Sequence, residues 1–79
     1  MLEIWQYGND TKAFQEKRAE IESKGYELER EFEDTTWGNL NADEKKSELI
    51  IAGYDVFILK TRNQILIWSK KSKKEDYAY

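Results

Sequence analysis

Hydrophobic and polar positions alternate most strictly between Tyr26 and Glu33, where Tyr26, Leu28, Arg30 and Phe32 interleave with Glu27, Glu29, Glu31 and Glu33. A two-residue period is the repeat of an extended chain, whose successive side chains point to opposite faces. The segment predicts a strand with one face wetted by four carboxylates. Leu2 to Tyr7 carries the same period, with Leu2 and Ile4 on one face and Glu3, Trp5 and Tyr7 on the other. Between the two, Thr11 to Lys24 holds good helix formers and no Gly or Pro. Its apolar stripe is thin, with Phe14 and Ile21 beside Lys17 and Arg18. Gly8-Asn9-Asp10 supplies a turn, Asn9, Asp10 or Thr11 can cap the helix, and Gly25 suits the left-handed residue that follows a helix. A helix of about 14 residues and a strand of about seven have similar lengths, roughly 21 and 23 Å. The helix therefore returns the chain to the start of the first strand, and the two strands run parallel through a right-handed crossover.

Residues 34–53 read less simply. Asn41-Ala42-Asp43-Glu44 has the form of a capping box, and Gly53 suits the end of a helix begun there. The β-branched Ile50 and Ile51 run toward the apolar stretch from Tyr54 and pull toward a long bulged strand instead. A short helix over 41–52 is the expectation. Beyond it, Tyr54 to Lys60 and Gln64 to Ser69 predict two apolar strands joined through Thr61-Arg62-Asn63, the first apolar on both faces and hence central. The order β-α-β-(α)-β-β predicts an α+β fold, a two-layer sandwich with one or two helices on one face of a mixed four-stranded sheet. The domain is expected to span 1–69, with a mobile Lys-rich tail over 70–79.

At 79 residues the chain has room for one modest core. It holds neither Cys nor His, so no disulfide staples it and no thiolate or imidazole binds metal. Packing must suffice, and an aromatic content of 14% provides the area for it. The same inventory removes Ser-His and Cys-His nucleophile systems. The four Gly stand apart, so no phosphate-cradling loop is present. Carboxylates abound, but acid–base work needs one of them raised by burial, and the Glu row reads as solvated. Alternate strand side chains lie about 6.6 Å apart, too wide to share one metal ion. The expectation is a protein that is not an enzyme and uses no cofactor or metal. No apolar run approaches the roughly 20 residues that cross a bilayer, and the first residues do not resemble a secretory leader, so the cytoplasm is the expected location. Ten Lys against three Arg fits an AT-rich bacterial or phage source.

Charge then directs attention to surfaces. Residues 1–48 hold seven Lys/Arg against thirteen Asp/Glu, a net of -6, while residues 49–79 hold six against three, a net of +3. If Leu2 and Ile4 face the helix, Trp5 and Tyr7 project from the open sheet face, and Trp68 joins them when Ile65 and Ile67 point inward. Trp5, Tyr7 and Trp68 beside Glu27, Glu29, Glu31 and Glu33 predict an acidic, aromatic face suited to a protein partner with a basic surface. Self-association to a homodimer is another use of that face. The alternative is a nucleic-acid accessory role, with phosphate contacts through Lys60, Arg62, Lys70, Lys71, Lys73 and Lys74. It is the weaker reading, because the Glu row repels phosphate where a sheet-face site would need cations.

Overall fold

The structure, a computed structural model, describes residues 1–71. In chain order it contains β1 (Leu2–Gly8), α1 (Thr11–Ser23), β2 (Glu27–Glu33), α2 (Thr36–Ile51), β3 (Tyr54–Thr61) and β4 (Gln64–Lys71). Asp10 caps α1 by accepting the Ala13 amide at 3.1 Å. Gly25 ends that helix at a φ of 92°, a left-handed conformation that side chains resist.

The second helix begins five residues before the expected cap at Asn41. Thr35 is in extended conformation, and its Oγ1 accepts the Gly38 amide at 3.0 Å, so the capping hydroxyl lies upstream of a Gly that would otherwise discourage a helix. Gly38 is needed there because the first turn of α2 crosses the end of β2, and a Cβ would collide with the Glu33 carbonyl oxygen. Leu49 is buried, and Ile50 and Ile51 continue as helix to Gly53 despite their β-branching.

The class, the element order and the mixed four-stranded sheet are those the sequence predicts. Strand order is β1-β3-β4-β2, with β1 parallel to β3 and the β3–β4 and β4–β2 pairs antiparallel. β1 and β2 thus run in the same direction but at opposite edges, and the β3–β4 hairpin lies between them. Composition explains this placement: Val56 to Leu59 and Ile65 to Trp68 are buried without interruption, so β3 and β4 bury both faces and belong in the centre.

The layering differs from the two-layer expectation. Phe14 and Ile21 of α1 pack with Phe57, Leu59, Leu66 and Trp68, while Ala42 and Leu49 of α2 pack with Val56, Ile58, Ile65 and Ile67. The helices cover opposite faces, and the molecule has three layers. With both helices on one face, Val56, Ile58, Ile65 and Ile67 would stay in water, each forgoing about 1.5–3 kcal/mol of burial. Lys70 and Lys71, expected in the tail, belong to β4, and residues 72–79 lie outside the described part.

Candidate functional site

Trp5, Tyr7 and Trp68 do lie on one face of the sheet, but α1 covers that face, so it is not the open one. Trp5 and Tyr7 project toward α1, where the Lys17 ammonium lies 4.8 Å from the centre of the Trp5 ring and Tyr7 meets Phe14 edge to face. The Trp5 indole N–H donates to the Glu3 carboxylate at 3.1 Å. Burial, with the charges of Glu20 and Asp10, raises the Tyr7 phenol above its ordinary pKa. Leu2 and Ile4, expected beneath a helix, instead lie exposed on the opposite face. α2 packs over β2, β3 and β4, leaving β1 uncovered on that side.

Trp68 is fully buried and cannot anchor a partner. Arg18 lies across its ring at 5.6 Å, and its indole N–H donates to Glu22 at 3.1 Å. Ile65 and Ile67 do point to one face, as expected, but the face that Trp68 occupies is covered by α1.

The Glu row is also divided. The β2–β4 register shifts between Leu28 and Arg30, a β-bulge at Glu29. Residues directly opposite one another share a face, so Glu27 opposite Ser69 lies on the α2 side, while Glu31 opposite Leu66 and Glu33 opposite Gln64 lie on the α1 side. Glu29 itself accepts the Ser69 hydroxyl at 2.7 Å and lies 4.0 Å from Lys45 of α2. The single ladder of four carboxylates is therefore two pairs on opposite faces. The bulge lets β2 serve both cores, with Leu28 packed on the α1 cluster and Phe32 on the α2 cluster.

Nor do the basic residues converge. Lys60 lies opposite Ile65 on the α2 side, at the hairpin end of the ladder, and Lys70 lies opposite Asp55 at its other end. That is a separation of about 17 Å along the strand, on opposite faces. The Lys70 ammonium donates to the Lys24 carbonyl at 2.7 Å. Arg62 occupies the hairpin loop and is exposed, Lys71 ends β4, and Lys73 and Lys74 lie outside the described residues.

An acidic, aromatic surface does exist, on the outer side of α2. Trp37 is 75% exposed and Ile51 86% exposed, with Leu40 and Ile50 exposed between them. Residues 37, 40, 44 and 51 recur at helical spacing along the side turned away from the sheet. Lys45 and Lys46 turn toward the sheet, where they pair with Glu48 at 3.2 Å and Asp43 at 3.7 Å, while those carboxylates stay largely in solvent. Cations thus sit at the base of the helix and Asp43, Glu44 and Glu48 at its rim. A shallow groove of about 470 Å³ between α2 and β2, lined by Arg30, Phe32, Asn41, Glu44, Lys45 and Glu48, continues this surface. Sequence reading missed it because a helix begun at Asn41 excludes Trp37 and Leu40. The signal was Thr35, three residues before Gly38.

Among the described residues no helix is long and apolar enough to cross a membrane. Comparison with protein-family models, with curated proteins and with solved structures gives no match, so the surfaces are read from their own chemistry.

Proposed function

We propose that this protein is a small, non-enzymatic binding module that lays the outer side of α2 into an apolar groove of a partner protein with a basic rim. The observation that carries this reading is the exposure of Trp37 and Ile51, with Leu40 and Ile50, on one helix whose rim is acidic. A single exposed apolar residue is ordinary, but several large ones on one helix have the form used in helix-in-groove recognition. Trp is among the commonest anchors of protein interfaces, and removing one typically costs about 2 kcal/mol or more of binding. Asp43, Glu44 and Glu48 would steer a basic-rimmed partner and repel an acidic one. The cytoplasm goes with this reading, since a chain free of Cys relies on no disulfide.

The test is a pull-down with the tagged chain from bacterial lysate, with and without nuclease, at low and moderate salt. A partner that survives nuclease and is retained by wild type but lost by Trp37→Ala supports the reading, provided circular dichroism shows the variant folded. Expected affinity for the purified partner falls at least about 30-fold, the equivalent of roughly 2 kcal/mol. Undiminished capture by Trp37→Ala combined with Ile51→Ala would sink the proposal. Recovery of nucleic acid that is lost at moderate salt would transfer attention to Lys60 and Arg62.

A further inference from the structure

The two edges of the sheet differ in a way that points to a second copy of the chain. β2 carries four Glu and one Arg in seven residues and a bulge at Glu29, all of which discourage edge-to-edge pairing. β1 has one charged residue, Glu3, and no such protection at its centre. The Val56 amide donates to the Met1 carbonyl at 2.9 Å. In a parallel ladder alternate residues make the bonds, so Glu3 and Trp5 turn their backbone groups toward β3. Leu2, Ile4 and Gln6 therefore turn theirs to the edge that no strand among the described residues pairs. Leu2 and Ile4 also expose their side chains, Ile4 by 49%, on the face that α2 leaves open.

We propose that two copies pair antiparallel along β1, about a two-fold axis at Ile4, to form one continuous eight-stranded sheet. Charge selects this register. Hydrogen-bonded pairs require the outward residues Leu2, Ile4 and Gln6 to face one another. Centring on Glu3 opposes two carboxylates. Centring on Trp5 brings together two rings, each bearing a Lys17 ammonium. Centring on Ile4 sets Ile4 against the second copy's Ile4, Leu2 against its Gln6, and Glu3 against its Trp5. Each Glu3 then meets the Lys17 that rests on that Trp5. Four Glu on β2 offer a second copy no comparable register.

The test uses the full chain and exploits its lack of Cys. Sedimentation equilibrium across a concentration series is expected to show the mass rising from one chain to two, with Ile4→Lys remaining at one chain while circular dichroism is unchanged. Across the axis, Cα atoms of a hydrogen-bonded pair lie about 5.5 Å apart, within disulfide reach. Oxidation of Ile4→Cys should give a linked dimer at least about tenfold faster than Trp37→Cys, which samples the outer side of α2. The Ile4→Cys result stands even if Ile4→Lys fails to fold. A wild-type chain that stays single at every concentration overturns the proposal. So does a dimer in which Trp37→Cys links as fast as Ile4→Cys. Partner capture through α2 is read separately on Trp37→Ala, so either idea can fail alone.

Discussion

Gly38 sits in the first turn of α2 at the closest approach of helix and sheet, its amide on the Thr35 hydroxyl and its α-carbon facing the Glu33 carbonyl. In a solvent-exposed helix, Gly→Ala stabilises by up to about 1 kcal/mol. Here the added methyl meets backbone, which cannot rotate aside as a side chain can, and overpacking of this kind costs about 1–3 kcal/mol. The steric term exceeds the propensity term, so Gly38→Ala is expected to lower stability and the urea midpoint with it. An unchanged or raised midpoint would show that the helix start shifts without cost. Trp68 illustrates the same dependence on surroundings: Arg18 and Glu22 on α1 turn a residue suited to an interface into the floor of a core.

Among the elements, β2 depends most on its neighbours. Its bulge places Glu29 against Ser69, a residue only 3% exposed, and Lys45 closes over the pair. Removing the carboxylate leaves a buried hydroxyl without its acceptor, which costs about 1–3 kcal/mol. Glu29→Ala should therefore lower the denaturation midpoint clearly, whereas Glu31→Ala on the exposed stretch of the same strand should change stability by no more than about 0.5 kcal/mol. Equal effects would mean that the two carboxylates have equivalent surroundings and that the bulge has no energetic consequence. The strict alternation of residues 26–33 made the strand legible, but alternation assumes one residue per step on each strand. One extra residue reverses the faces beyond it, so the sequence revealed the four Glu without revealing that they separate.

For the whole molecule, the phenols of Tyr7 and Tyr26 link stability to pH. Both are raised above the ordinary value, each chiefly by burial; negative charges at Glu20 and Asp10 add to the effect on Tyr7, and Asp55 and Glu3 add on Tyr26, where Lys24 opposes. Both rings border the α1 core. The folded state therefore holds these protons more tightly than the unfolded chain. Their contribution is complete below the unfolded value of about 10 and is lost as pH rises through the raised folded values. Urea midpoints should fall as pH rises above about 10, and fall less in Tyr7→Phe combined with Tyr26→Phe. Identical alkaline losses in the variant and the wild type would assign the effect to other groups.

What the sequence determined by itself was what adjacent residues decide among themselves. The two-residue period made β2 a strand, the cap candidates Asn9, Asp10 and Thr11 together with Gly25 bounded α1, and the unbroken apolar run of β3 placed that strand in the centre. These outcomes rest on hydrogen bonds and side-chain alternation within a few positions. The start of α2, the opposite placement of the helices, the burial of Trp68 and the exposed ridge of Trp37 and Ile51 were decided only in the tertiary structure. Periodicity shows that the faces of an element differ, but burial depends on which elements cover each face. That cover comes from residues distant in the chain: α1 shields Trp68 in β4 from 46 positions away, and no local pattern near Trp68 records it.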